Sequence, residues 1–182
     1  MDNSVCVFAD KNDLILQEYY SNEWCKINHD DRYEFEMLCL EGASIGLSWK
    51  TIIHKRNAYK KAFYNFDIDK CSCLKDEELL KLMDNKDLIR NKKKIFSVRQ
   101  NALVVKEIQT EFGIFDRYLW NFTDGRQIKG NWKSADEIPV KSDVSIKRSK
   151  DMKKRGMKFV GDIIIYSFLQ SIGMVDDHVY TK

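Results

Sequence analysis

The chain has 182 residues, 43% of them hydrophobic, and carries 31 Lys and Arg against 28 Asp and Glu for a net charge of +3, so it is long enough to bury a core in one domain or two closely packed lobes. No apolar run approaches the roughly 20 residues that a bilayer span needs. Five cysteines without a CxxC pair argue against both a disulfide framework and a closed four-cysteine zinc site.

The N-terminal "MDNSVCVFADKND" has no basic leader followed by an apolar segment, which predicts a cytoplasmic protein. Strong helix formers are dense and the single proline is Pro139, so helix is predicted nearly everywhere. "DLILQEYYSNEW" (13–24) reads as a helix capped by Asp13, and "DDRYEFEMLCLEGA" (30–43) as a second capped by Asp30 or Asp31. Ser48 suits the N-cap of a third, "WKTIIHKRNAYKKAF". After a short element around "DIDKCSCL", "KDEELLKLMDN" (75–85) opens with acids that favour a helix N-terminus. The connector "KDLIRN" leads into a long helix from Lys92 to Phe112, with Ile95, Val98, Ala102 and Val105 at heptad-like spacing. "FDRYLWNF" (115–122) is another short helix. Residues 123–140 hold two glycines and Pro139 and read as an excursion over the surface. Two more helices, separated near Gly156, close the chain. No strand alternation or internal repeat is evident, and the predicted fold class is all-α.

The charge is unevenly distributed. Residues 86–106 carry seven Lys and Arg against one acid, and residues 126–158 eleven against four. Two such segments have the footprint of a phosphate-binding surface, although either alone also suits a solvated helix face. "RNKKK" at a helix N-terminus is placed to aim backbone N–H groups and cations at one phosphate, and a plain αα-hairpin has the same pattern.

The stretch "LEGASIGLSW" (40–49) poses a sharper question. Glu41 follows Leu38 by three residues and Met37 by four, so on a helix it shares their apolar face. An unpaired buried carboxylate is costly. Phe8, Tyr19, Tyr20, Trp24, Tyr33 and Trp49 lie nearby in sequence. They are open to two readings: ordinary core beside a locally capped carboxylate, or a pocket that receives a flat cation on aromatic faces. Nucleophilic catalysis has little support, since His29, His54 and His178 have no elbow-type Ser or Cys beside them, and no GxSxG, Walker loop or dinucleotide fingerprint occurs. The best metal-ligand candidates, Cys6 and His178, sit at opposite ends of the chain.

Five stretches resemble the DNA-3-methyladenine glycosylase I family almost end to end: "YYSNEWC" (19–25), "FEMLCLEGASIGLSWKTIIHKRNAYKKAFYNFD" (35–67), "LIRNKKKI" (88–95), "DEIPVKSDVSIKRSKDMKKRGMKFVG" (136–161) and "YSFLQSIGMVDDHV" (166–179). The resemblance implies a helix-hairpin-helix base-excision repair glycosylase. Such an enzyme flips N3-methyladenine out of double-stranded alkylated DNA, hydrolyses its N-glycosidic bond and releases the free base. It implies a monomer of two helical lobes, the chain ends forming one and about 65–115 the other. Glu41 matches the pocket carboxylate, the residue assigned to catalysis. Trp49 matches the aromatic that stacks on the base, and Tyr19 and Trp24 match pocket residues. Phe8 falls near a stacking tryptophan, and Ser167 matches the rim. Ser44, Ile45, Gly46 and Leu47 match the loop that plugs the gap left by the flipped base, and Arg90, Lys92 and Lys93 match the phosphate-holding hairpin. No aspartate matches the one by which other glycosylases stabilise a sugar cation.

Two departures stand out. The family's structural zinc uses two Cys and two His. Cys6 and His178 match two of these ligands, but Tyr20 replaces a histidine and no residue matches the last cysteine, so no metal or other cofactor is expected. The hairpin "NKDLIRN" lacks the usual glycines. A divergent relative that binds lesions without cleaving them is the alternative function.

Overall fold

Side-chain caps set where the helices begin. The computed structural model describes residues 4–5 and 12–180, and helix dominates them. Helix α1 (Leu14–Asn22) starts where Asp13 accepts the Leu16 N–H at 3.1 Å. Helix α2 (Asp31–Ser44) starts at Asp30, which accepts from Tyr33 at 2.8 Å, and α3 (Trp49–Ala62) at Ser48, which accepts from Thr51 at 3.2 Å. Each cap satisfies an N–H that the helix itself leaves orphaned. The short helices α4 (Ile68–Ser72) and α5 (Asp76–Lys81) follow, α5 running on into a 3-10 turn at Leu82–Asp84. Then come α6 (Lys92–Phe112), capped by Asn91, and α7 (Phe115–Trp120). Helices α8 (Asp143–Lys154) and α9 (Asp162–Ser171) complete the set.

Helix α2 is the axis of the core. It packs on α3, α6, α7 and α9, and its residues from Glu34 to Ser44 are all buried. A helix surrounded in this way needs apolar residues on every side, which is why Phe35, Met37, Leu38 and Leu40 leave almost no surface. In α6 the four residues at heptad-like spacing are all buried, and the helix packs against α4.

The all-α class stands, with one refinement. Two-residue strands form two small ladders: β1 (Ser4–Val5) antiparallel to β4 (Val179–Tyr180), and β2 (Ile128–Lys129) parallel to β3 (Val175–Asp176). Runs this short cannot show alternation in a sequence. Residues 123–140 do run over the surface, none of them buried, and the second ladder ties this excursion to the C-terminal part of the chain. Gln127 reinforces it by donating to the carbonyls of Cys25 at 3.1 Å and Gly173 at 2.8 Å, which pins the segment to the ends of α1 and α9.

Candidate active site

The last turn of α2, the first turn of α3, one face of α1 and one face of α9 converge on a cavity of about 390 Å³. Residues 135–140 close its remaining side with Ile138, Pro139 and Val140. Glu41 looks into this space while only 6% exposed. Among the described residues no hydrogen bond or ion pair engages its carboxylate, and burial alone pushes its pKa up to about 8. The local-capping reading of Glu41 finds no partner among the described residues, and its carboxylate faces a cavity instead.

Aromatic rings run from Glu41 along the wall. Trp49, the first residue of α3, meets Tyr19 with ring centroids 5.3 Å apart at 54°. Tyr19 meets Tyr20 at 5.2 Å, and Tyr20 meets Trp24 at 5.5 Å. Tyr19 is held neutral, first by burial and then by the nearby Glu41, both of which raise its pKa well above the ordinary phenol. Ser167 faces the cavity from α9. Tyr33 does not: its hydroxyl donates to Ser171 O at 3.1 Å, and its ring lies under Arg56. Phe8, placed near a stacking position by the resemblance, falls outside the described residues.

Asp177 is a structural residue of the site that the sequence reading missed. Buried at 1% exposure, it accepts from Tyr166 Oη at 2.6 Å, Gln170 Nε2 at 2.7 Å and Trp132 Nε1 at 2.7 Å. It thereby locks α9 and the segment after α7 onto the C-terminal strands. Its three donors come from residues 7 to 45 positions away, so no local motif announces it.

Between α2 and α3 the backbone turns through Gly46, at φ +77°, and Ile45 and Leu47 project outward at 37% and 43% exposure. Ser44, grouped with them by the resemblance, is buried and donates to Glu41 O at 2.7 Å, so the exposed loop begins at Ile45. Ile45 and Leu47 thus present an exposed apolar surface close in the chain to the buried Glu41.

Comparison with known proteins agrees with this geometry. The family model for methyladenine glycosylase matches residues 9–181. The chain belongs to the methyladenine glycosylase family. It is 37% identical over 167 residues to DNA-3-methyladenine glycosylase 1 of Escherichia coli, covering 92% of this chain and 89% of that one. It is 35% identical over 165 residues to the Haemophilus influenzae DNA-3-methyladenine glycosylase, covering 91% and 89%. A crystal structure of 3-methyladenine DNA glycosylase I superposes with a TM-score of 0.92 at 36% identity over 96% of this chain and 95% of that one. The Staphylococcus aureus 3-methyladenine DNA glycosylase I, solved for its recognition of 3-methyladenine, superposes with a TM-score of 0.92 at 29% identity over 97% and 96%.

In this member of the methyladenine glycosylase family the hairpin from α5 to α6 turns without glycine. Asn85 Oδ1 accepts the Asp87 N–H at 2.9 Å, Leu88 anchors the turn in the core, and no residue from 85 to 91 has a positive φ. Arg90, Lys92 and Lys93 are exposed around the N-terminus of α6, where backbone N–H groups and the helix dipole favour an anion.

The family's zinc position differs here. Tyr20 stands edge-on to Trp24, and Trp24 packs against the His178 ring at 5.1 Å. Cys25, Asp176 and His178 bring donor atoms within 4.8 Å of one another, a grouping invisible in the sequence because Cys25 is so distant from the other two. These atoms already have protein partners: His178 Nδ1 pairs with Asp176 Oδ1 at 2.7 Å, and the Asp177 N–H donates to Cys25 Sγ at 3.4 Å. The trio does not fit the two-Cys, two-His set, and Cys6 lies outside the described residues.

Proposed function

We propose that this chain extrudes N3-methyladenine from alkylated duplex DNA into the cavity and hydrolyses its N-glycosidic bond. The observation that carries this reading is Glu41, a buried carboxylate without a partner among the described residues, at the end of an aromatic wall. Flipping costs a few kcal/mol of unstacking. Stacking on Trp49 and hydrogen bonds from the base edge to Glu41 offset that cost, while Ile45 and Leu47 fill the vacated space in the duplex.

The chemistry needs little acid assistance. A methyl group at N3 already makes the base cationic. As water attacks C1′ and the bond from C1′ to N9 breaks, its electron pair leaves with the base and neutralises that charge. The water proton passes to solvent. Neutral adenine forfeits the cation–π attraction, about 0.5–2 kcal/mol and more when desolvated, together with its attraction to Glu41. Selection therefore rests on the charge of the lesion. No step passes through a metal, and pairing of β1 with β4 holds the chain ends in the role that zinc has in the family.

Purified protein incubated with methylated duplex DNA is expected to release free 3-methyladenine at the same rate with and without a chelator. Well-folded protein that releases no base would overturn the reading, and release abolished by the chelator would overturn its metal independence. A second expectation concerns the hairpin. Replacing Arg90, Lys92 and Lys93 by alanine should flatten the plot of log affinity against log salt by about 0.9 for each phosphate contact removed. An unchanged slope would place the phosphate grip elsewhere.

A further inference from the structure

Lys94 belongs to the basic run that opens α6, yet it does not join Lys92 and Lys93 in solvent. Its ammonium is half-buried and donates to the Ala43 carbonyl at 2.9 Å and the Ile45 carbonyl at 2.6 Å. These carbonyls belong to the last turn and C-cap of α2, where a helix leaves its acceptors unpaired. Helix α2 has no basic residue in its own last turn, so Lys94 brings from another helix the cation that a C-terminal dipole favours. Among the described residues no carboxylate pairs with it, and burial lowers its pKa from the ordinary lysine value. Its backbone is fixed as well, since its N–H donates to the Asn91 cap at 3.2 Å. One side chain thus ties the anion-facing end of α6 to the base of the apolar wedge.

We propose that Lys94 is a positioning residue that couples docking of α6 on the DNA backbone to insertion of Ile45 and Leu47. With both carbonyls held, the wedge stands outward as soon as the hairpin is seated. Without them, the loop is free to fold back and extrusion fails although the base pocket is intact. Among the described residues Lys94 Nζ donates to the main-chain oxygens of Ala43 and Ile45 and not to the Glu41 carboxylate, so capture of the free base does not depend on it. This inference rests on the proposed entry of the loop into the duplex.

The test compares Lys94→Met and Lys94→Arg with the parent in three measurements. These are affinity for free 3-methyladenine by tryptophan fluorescence, extrusion by 2-aminopurine fluorescence next to the lesion, and single-turnover excision from duplex DNA. Lys94→Met is expected to keep free-base affinity while extrusion and excision fall together by about 10- to 100-fold, the range for loss of a charged hydrogen bond. Lys94→Arg, which keeps charge and donors, should recover most of that loss. Parent-like excision by Lys94→Met would overturn the proposal, as would a parallel loss of free-base affinity. If Lys94→Met does not fold, Lys94→Gln takes its place with one neutral donor and an intermediate defect expected, and parent-like excision by it overturns the proposal equally. An Ile45→Ser, Leu47→Ser double variant separates the two layers. If it extrudes the base like the parent, the reading of the loop fails; if it loses extrusion while Lys94→Met does not, only the role of Lys94 fails.

Discussion

Glu41→Gln is expected to slow excision severely and to leave a protein that is more stable than its parent at alkaline pH. The first effect follows from removing the charged partner of a buried cation, which costs about 2–5 kcal/mol, or roughly 30- to 5,000-fold in rate. The second follows from linkage. Burial raises the Glu41 carboxyl from an ordinary 4.5 to about 8, so the folded state holds a proton that the unfolded chain has already lost between those values. The stability associated with that proton is fully present below pH 4.5 and disappears as pH rises through about 8. Glutamine stays neutral throughout. The advantage of the variant should therefore grow across that window and level off above it, at most on the order of 5 kcal/mol for a group this deeply buried. Thermal melts at pH 5 and pH 9 check this directly, and a constant difference between the two proteins would refute it. The same proton makes recognition pH-dependent, because a bound cation draws Glu41 into its ionised form. Parent affinity for the cationic lesion should rise up to about pH 8 and then flatten, whereas that of the variant should not respond.

Glu41 also marks what was legible in the sequence. Its place three and four residues beyond Leu38 and Met37 predicted a buried position, and the packing of helices around α2 buries it along with every residue from Glu34 to Ser44. The caps at Asp13, Asp30 and Ser48 and the buried seam of α6 were legible because capping and helical periodicity are local. The wall at residues 135–140 was not. The stretch leading into it is held by the pairing of Ile128–Lys129 with Val175–Asp176 and by the reach of Gln127 to Cys25 and Gly173, interactions that join chain positions far apart. Asp177 and the grouping of Cys25 with His178 escaped for the same reason. Lys94 escaped differently. In the sequence it is one lysine of three in a row, and only the packing of α6 across the end of α2 distinguishes it from its neighbours.

Gly173→Ala is the substitution expected to cost the fold most. Gly173 lies just past α9 with φ +74°, and a methyl group there would sit 2.2 Å from Lys26 C and 2.3 Å from Ile27 N. Both are main-chain atoms, so no side chain can swing aside to make room. The strands of chain that meet here carry the cavity: Cys25 donates its N–H to Gln170 O at 2.9 Å and Asn28 to Ile172 O at 3.2 Å, which fixes the end of α1 against the end of α9. Left-handed strain of about 1–2 kcal/mol adds to overpacking of about 1–3 kcal/mol or more. Together they should lower the melting temperature by about 10 °C or beyond. Forcing α1 and α9 apart also separates Tyr19 and Trp24 from Ser167, so affinity for free 3-methyladenine should fall even below the melting transition. Gly125→Ala is the control that isolates the cause. Its φ is +71°, but nothing lies within 4 Å of the added methyl. Strain alone should then lower the melting temperature by only about 2–8 °C with base binding intact. Equal losses in the two variants would mean that backbone conformation, and not the close approach of residues 26 and 27, makes glycine necessary at position 173.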